Sequence, residues 1–147
     1  MIRAMKTAAK IALLGAFMLR PGLLDDQAKA WASGIPRDWP GSFEAHWTAL
    51  LKDGKTKALD VTLAGERRGL VLYYIDPASN PPEFVISGAF GLDSRADLTE
   101  LVLPNLVAIA KEKCCGTVRF HTMRAGLVAK TLAAGFHVSE VIMRRAV

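Results

Sequence analysis

The chain has few of the residues that would indicate a disulfide-bonded or metal-binding protein. Its 147 residues include two cysteines, Cys114 and Cys115, and adjacent cysteines rarely form a disulfide because the bridge would be strained. The three histidines are far apart, and no CxxC or HExxH spacing occurs. We therefore expect a reduced, cytoplasmic compartment and no metal site.

Aromatic residues are also scarce, and charge is not clustered. Aromatics make up 7% of the chain, and none lies in a basic, glycine-rich context that would suggest stacking on bases. The net charge is +5, but the excess of lysine and arginine is spread along the chain. This pattern favours a soluble protein with a basic surface, and nucleic-acid binding is the weaker alternative.

The longest apolar run near the start is too short for a membrane span. It covers residues 11–19, follows three basic residues and ends at Arg20-Pro21. A span needs about 20 apolar residues, so we expect no membrane insertion. The composition of residues 4–19 favours an amphipathic helix. An export signal and a helix that docks on a partner are the alternatives.

Hydropathy patterns predict a single domain over residues 1–147. Residues 1–56 read as a helical part, and residues 57–147 read as a sheet with two helices. Beyond the first helix, the predicted helices are 23–33, 42–53, 97–113 and 123–134, and the predicted strands are 59–63, 70–75, 84–90, 117–121 and 136–144. The predicted fold class is α+β (α/β), with about five to six strands and helices on both faces. The three tryptophans would either complete the core or form a contact surface with the first helix; they are Trp31, Trp39 and Trp47.

A local pattern late in the chain resembles a known family. The stretch Gly116-Thr117-Val118-Arg119-Phe120-His121-Thr122 is followed by a helix, by Ala134-Gly135-Phe136 and by a final predicted strand. This order resembles the C-terminal half of the GNAT superfamily of acyl-CoA N-acyltransferases. The detailed resemblance covers residues 84–146. It implies a GNAT-like, mixed and mainly antiparallel sheet, although the family's usual first strand is not visible in the sequence.

The resemblance also implies where a cofactor would bind. The family holds the pyrophosphate of acetyl-CoA with a Gln/Arg-x-x-Gly-x-Gly/Ala turn before its central helix, where backbone N–H groups reach the phosphates. The corresponding stretch here is 94–99, and both glycine positions are replaced, by Asp97 and Thr99. A carboxylate there repels phosphate, and Asp97 also fits an ordinary helix N-cap. The candidate cofactor-binding residues are therefore Ser94, Arg95 and Arg124.

The positions implied for catalysis are equally altered. The tyrosine that protonates the leaving thiolate in the family corresponds to Thr131, whose hydroxyl is a poor general acid. The two tyrosines of the chain lie in an apolar strand and are expected in the core. His121 and Glu83 are the candidate catalytic bases, the first because histidine titrates near neutral pH. Each also fits a structural role, as a hydrogen-bonded histidine and as a carboxylate at the rim of the sheet.

These departures favour a non-catalytic protein. The sequence predicts a GNAT-like pseudoenzyme that has no cofactor and acts through its surface, on a protein partner or by self-assembly. The helix start Arg124-Ala125-Gly126 resembles that of compact GNAT-like proteins of bacteriophages and prophages, which implies a virion-associated or accessory role. The alternative is a divergent acetyl-CoA-dependent N-acetyltransferase. A nucleic-acid-binding accessory protein is a third, less favoured, hypothesis.

Overall fold

The computed structural model of the chain describes residues 17–34, 43–91, 98–122 and 125–147. Within these ranges the chain forms five strands and four helices. In chain order they are β1 (Phe17–Pro21), α1 (Asp26–Ser33), α2 (Phe43–Lys52), β2 (Lys57–Leu63), β3 (Glu66–Asp76), β4 (Glu83–Phe90), α3 (Leu98–Glu112), β5 (Thr117–Phe120) and α4 (Ala125–Ala133). No helix in the described ranges is long and apolar enough to cross a membrane.

The five strands form one sheet in the order β1-β2-β3-β4-β5. The first four strands are antiparallel neighbours, and β5 runs parallel to β4. The parallel pair requires a crossover connection, which α3 provides. Leu70, Val71 and Leu72 of β3 are each fully buried, because β3 lies mid-sheet with helices on both sides. The predicted fold class, a mixed and mainly antiparallel sheet between helices, is confirmed.

Two apolar clusters form the core, one on each face of the sheet. On one face, α3 packs its apolar stripe against β2, β3 and β4 through Val102, Leu106 and Ala110. On the other face, α1 and α2 cover the strands with Ala28, Ala32 and Trp47 against Leu70, Leu72 and Phe90. Alternate residues of each strand therefore serve opposite clusters, as the two-residue period of a strand requires.

An arginine on β3 ties α1 to the sheet. Asp25 caps the helix by accepting a hydrogen bond from the Ala28 N–H at 3.0 Å. Arg67 Nη1 donates to both oxygens of Asp25 at 2.8 and 2.7 Å, and its Nε donates to Asp60 at 2.9 Å. The hydrogen bond from Arg67 holds the pKa of Asp25 below its ordinary value. The guanidinium also lies 5.4 Å from the Trp31 ring centroid. The Arg67 side chain therefore contacts α1 both at its N-cap, Asp25, and near its C-terminal end, Trp31.

The prediction of helix up to residue 19 is wrong, because residues 17–21 form β1. Phe17 pairs with Leu63 and Leu19 pairs with Val61, and both side chains pack on the core. Met18 between them is exposed, so the local period is two rather than 3.6. Pairing with β2 overrides the helix propensity of these residues. β1 is the first strand of the sheet, and the sequence patterns did not predict it. The rest of the predicted helix lies outside the described residues.

The predicted strand over residues 136–144 is also wrong for the single chain. Residues 134–147 form no strand, and only Phe136 is partly buried there. Its ring packs edge-on against Phe120 at 5.6 Å. The β-forming composition is present, but a strand needs a hydrogen-bonded neighbour, and β5 pairs with β4 alone among the described strands.

The tryptophans were expected either in the core or in a contact surface, and the structure describes two of the three. Trp47 is 4% exposed and packs against Phe90 with ring centroids 4.6 Å apart, so its place in a contact surface is excluded. Trp31 is half-buried beside the same cluster. Trp39 lies outside the described residues.

Candidate functional site

The strands β4 and β5 pair over only part of β4. The parallel register joins Glu83 to Thr117 and ends with Ile86 opposite Phe120. β4 continues to Phe90, so its last four residues have no strand partner on that side within the described ranges. We call the opening beside residues 87–90 the β4–β5 cleft. Its wall is a strand edge, which presents main-chain donors and acceptors.

A β-bulge lies where the two strands stop pairing. Leu72 pairs with Gly88 and Tyr73 with Ile86, which leaves Ser87 as the extra residue. Trp47 Nε1 donates a hydrogen bond to the Ser87 carbonyl oxygen at 3.3 Å. A bulge bends and twists its strand, so it accounts for β4 diverging here. The Ser87 Oγ is buried and has no hydrogen-bond partner, which is uncommon for a buried hydroxyl.

Two glycines let aromatic rings approach the end of β4 closely. A Cβ on Gly88 would lie 3.0 Å from the Phe90 ring and 3.1 Å from the Trp47 ring. A Cβ on Gly91, where φ is +75°, would lie 2.5 Å from Trp31. Only glycine takes that φ without strain, and only glycine leaves room for the ring. Helices α1 and α2 therefore fix the position of the cleft wall through their tryptophans.

The candidate base Glu83 lies at the far end of β4 from the cleft. Arg119 Nε donates to its Oε1 at 2.7 Å, and Thr117 Oγ1 donates to its Oε2 at 2.9 Å. These hydrogen bonds, with that from Arg119 the stronger influence, hold the pKa of Glu83 below its ordinary value. Arg119 also reaches Asp76 at 3.3 Å. The cluster joins the starts of β4 and β5, so Glu83 has a clear structural role.

Of the other predicted site residues, only His121 lies within the part of the chain that the structure describes. His121 follows β5 directly and is exposed, which places it at the edge of the cleft. Ser94, Arg95 and Arg124 lie outside the described residues. The structure therefore leaves their predicted role in cofactor binding as a prediction.

Thr131 cannot act as a free hydroxyl donor. It is 4% exposed, and its Oγ1 hydrogen-bonds the Leu127 and Val128 carbonyl oxygens, both at 3.0 Å. Its hydrogen is thus committed to the preceding turn of α4. Tyr73 is buried and stacked on Phe84 at 4.6 Å, as expected of a core residue, whereas Tyr74 is only half-buried.

Sequence reasoning missed Ser87 and Gly88. The available signal was Gly88 itself, which interrupts the apolar pattern of the predicted strand 84–90. A glycine inside a strand pattern indicates a bulge or the close approach of another group. Here it indicates both, since the bulge and the Trp47 ring meet at this point.

A cavity of about 540 Å³ opens at the opposite end of the sheet. Its lining includes Lys55, Lys57 and Lys113, with no carboxylate. Two of these lysines follow the C-terminal ends of α2 and α3, where positive charge complements the helix dipoles. Lys113 also lies 6.0 Å from the Tyr73 ring centroid. The positions of Lys55 and Lys113 are thus accounted for without a ligand.

Solved structures match this architecture, whereas no family model and no curated protein matches the chain. An acetyltransferase from Trypanosoma brucei aligns with a TM-score of 0.62 and 16% identity, over 89% of this chain and 99% of that chain. A ribosomal-protein-alanine N-acetyltransferase from Brucella melitensis aligns with a TM-score of 0.60 and 15% identity, over 90% and 99%.

The chain has the GNAT fold. A transcriptional regulator from Bacillus halodurans is similar as well, with a TM-score of 0.66 and 15% identity over 89% of this chain and 99% of that one. The resemblance seen in the sequence is therefore confirmed at the level of fold.

Proposed function

We propose that this protein is an acetyl-CoA-dependent N-acetyltransferase whose acyl thioester lies in the β4–β5 cleft. The observation that carries the proposal is the separation of the two strands after Ile86 and Phe120. That separation leaves a strand edge over residues 87–90, on a fold shared with proteins named as acetyltransferases. The proposal departs from the non-catalytic interpretation that the altered motif positions favoured.

The residues of the cleft fit an extended amide-containing ligand. A strand edge can hydrogen-bond an extended chain as it would another strand. Gly88 lets that edge lie directly against the Trp47 and Phe90 rings, and the Ser87 Oγ supplies a buried polar group without a partner. When bound, acetyl-CoA would supply an acetyl carbonyl activated by a C–S bond, which breaks as a C–N bond to the amine forms.

The chain's own residues would contribute chiefly by positioning. Main-chain N–H groups at residues 87–90 can stabilise negative charge on a carbonyl oxygen held against them. Holding two reactants together supplies much of the rate increase of an acyl transfer. We assign His121 the proton of the attacking amine, because it is exposed at the cleft edge. Thr131 donates within its own helix, so we assign protonation of the thiolate to solvent.

Calorimetry with acetyl-CoA tests the proposal. A ligand at 100 times its dissociation constant stabilises the folded state by about 2.7 kcal/mol. With an unfolding entropy of about 2.1 cal/mol/K per residue, that corresponds to a rise in Tm of roughly 9 °C for this chain. Ser87→Val should reduce the rise, because it replaces the unpartnered hydroxyl with two methyl groups. Ser79→Val, in an exposed turn, is the matched control and should leave the rise unchanged.

Turnover is measured by release of the CoA thiol in the presence of a panel of primary amines. His121→Asn should lower kcat while preserving the rise in Tm. Absence of any rise in Tm at 5 mM acetyl-CoA, or thiol release that no amine accelerates, would contradict the proposal.

A second candidate is the non-catalytic, surface-acting role that the sequence predicts, with a bacteriophage virion as its predicted setting. It is supported by the hydroxyl of Thr131, which donates its hydrogen within α4. It is also supported by Asp97 and Thr99, which stand where the resemblance implies the glycines of the phosphate turn. This candidate predicts a Tm that acetyl-CoA does not change.

A further inference from the structure

The cavity at the end of the sheet away from the β4–β5 cleft has the size of a binding site for a small molecule. Its volume of about 540 Å³ lies within the range of about 300–1,000 Å³ that such sites have. Both core clusters contribute to its apolar lining, with Leu59 and Ile75 from the α3 side and Leu51 and Ala58 from the α1–α2 side. The lining therefore offers apolar surface to the body of a ligand.

The charged part of the lining has one sign. Three lysines line the cavity, and no carboxylate of the described residues does. Helix ends account for the positions of Lys55 and Lys113, whereas Lys57 is the first residue of β2. Lys55 lies 3.8 Å from Asp53, but Lys57 and Lys113 form no ion pair within the described residues. Two ammonium groups of the cavity are therefore without a counter-ion there.

The acidic residues closest in sequence to the apolar lining do not compensate these lysines. Asp60 follows a lining residue of β2, and Arg67 holds its carboxylate at 2.9 Å. Asp76 follows a lining residue of β3, and Arg119 reaches its carboxylate at 3.3 Å. None of these four side chains lines the cavity. A cavity with charges of one sign and apolar walls concentrates a positive potential, which attracts anions.

The two unpaired lysines lie beside the same tyrosine. Lys57 pairs with Tyr73 across β2 and β3, which places the two side chains next to each other on one face of the sheet. Lys113 Nζ lies 6.0 Å from the centroid of the Tyr73 ring. Tyr73 lines the cavity and is 7% exposed, and its hydroxyl makes no hydrogen bond within the described residues. A buried tyrosine hydroxyl usually has a partner, so this O–H is available to a ligand.

We propose that the cavity binds an amphipathic organic anion. Its phosphate or carboxylate head lies beside Lys57, Lys113 and Tyr73, and its apolar body lies on Leu59 and Ile75. The head supplies the counter-ion that the described residues do not, and lysine binds phosphate as a point charge. Burial of the apolar body supplies the rest of the binding free energy. The site shares no residue with the β4–β5 cleft, so the proposal does not depend on the proposed acetyltransferase activity.

Titration calorimetry of the full chain with four probes tests the head and the body separately. Octyl phosphate and octanoate carry both parts, 1-octanol carries the body alone, and inorganic phosphate carries the head alone. We expect octyl phosphate to bind with a stoichiometry of one, and octanoate to bind more weakly because its charge is lower. Losing the body should weaken binding by about 100-fold, and losing the charge should weaken it by about 10-fold. Added salt should weaken binding of the two amphipathic anions but not of 1-octanol.

Substitutions of the lysines test the position of the head. Lys57→Gln and Lys113→Gln should each weaken binding of octyl phosphate by about 3- to 5-fold, and Lys57→Arg should preserve it. Tyr73→Phe should also weaken it, because the ring stays and the donor is lost. Lys111→Gln is the matched control, since it makes the same charge change on α3 at a residue that does not line the cavity. None of these variants should change the binding of 1-octanol.

Methyl chemical shifts locate the body of the probe. Octyl phosphate should shift the methyl resonances of Leu59 and Ile75. It should leave those of Val141 and Ile142 unchanged, which are exposed apolar residues outside the cavity. The proposal is overturned if 1-octanol binds as tightly as octyl phosphate, or if the variant lacking both Lys57 and Lys113 charges binds like the native chain. Shifts confined to Val141 and Ile142 overturn it equally, as does a native chain that binds neither amphipathic anion.

Discussion

Replacing Trp47 with phenylalanine removes one hydrogen bond and keeps an aromatic ring in the core. The indole N–H of Trp47 holds the Ser87 carbonyl at 3.3 Å, at the bulge where β4 leaves β5. Loss of a hydrogen bond of this kind costs about 1 kcal/mol. The smaller ring gives up on the order of 40 Å² of buried apolar surface, which is about 1 kcal/mol more. For 147 residues, about 2 kcal/mol lowers Tm by roughly 6 °C.

The same change should weaken acetyl-CoA binding under the proposed function. Without its tether the bulge can take alternative conformations, and the cleft edge over residues 87–90 is less well positioned. A fivefold loss of affinity is about 1 kcal/mol, which would reduce the rise in Tm caused by acetyl-CoA by roughly 3 °C. Scanning calorimetry of the variant, with and without ligand, measures both effects.

Leu70→Val is the matched control for Trp47→Phe. Leu70 is fully buried in the same cluster as Trp47. Its side chain is apolar, so the substitution removes no hydrogen bond to the bulge. Losing one methylene there costs about 1 kcal/mol and should lower Tm by roughly 3 °C, while the response to acetyl-CoA stays unchanged. The reasoning is refuted if Trp47→Phe lowers Tm by less than about 2 °C, or if Leu70→Val diminishes the ligand response equally.

Two further substitutions, the first with a matched control, test the packing at the cleft wall and the ion pair at the far end of β4. Gly91→Ala should lower Tm by about 10 °C, because a Cβ at φ +75° costs 1–2 kcal/mol and also meets the Trp31 ring at 2.5 Å. Gly126→Ala, on an exposed position of α4 with nothing within 4 Å, should leave Tm unchanged or raise it slightly. Glu83→Gln should lower Tm at neutral pH by about 3–6 °C, since it breaks the ion pair with Arg119 at 2.7 Å.

The effect of Glu83→Gln should depend on pH in a direction that the structure fixes. The pKa of Glu83 is lowered in the folded state, so its ion pair stabilises the fold above the ordinary glutamate pKa of about 4.3. That stabilisation is lost as the pH falls through the lowered pKa. Native and variant Tm values should therefore converge below about pH 4, and a constant difference down to pH 2 would contradict the assignment. For the glycine pair, equal Tm losses at both positions would contradict the packing argument.

The sheet was predictable where each strand's pattern is set by its own residues. Leu70 to Ile75 is apolar without interruption, and Leu59, Val61 and Leu63 alternate with more polar residues, so β3 and β2 could be placed from the sequence. β1 could not be placed, because Phe17 to Pro21 contains good helix formers. Its period of two becomes visible only against its partner Leu63 on β2.

The candidate site was less predictable because it depends on register. The sequence shows Gly88 but not that β4 and β5 stop pairing two residues earlier, at Ile86. The sequence offers Glu83 as a candidate base, but it does not show the contact between Glu83 and Arg119. That contact depends on the parallel pairing of Glu83 in β4 with Thr117 in β5, 34 residues later. The wall of the cleft is therefore set by strand register, which the sequence alone does not show.

Under the proposed function, the altered motif and the β4–β5 cleft would impose different requirements on a ligand. A main-chain edge at residues 87–90 can hold any extended amide chain, because it uses no particular side chain. The pyrophosphate, in contrast, needs a concentration of N–H donors free of carboxylates, and Asp97, at the position that the resemblance assigns to that turn, would work against it. If both features act together, the free energy of acyl-CoA binding comes mainly from the thioester arm. A truncated acetyl-pantetheine should then bind almost as tightly as acetyl-CoA, whereas a GNAT protein with an intact phosphate turn should lose much of its affinity. The ratio of the two dissociation constants, measured by calorimetry, separates a relocated binding site from a lost one.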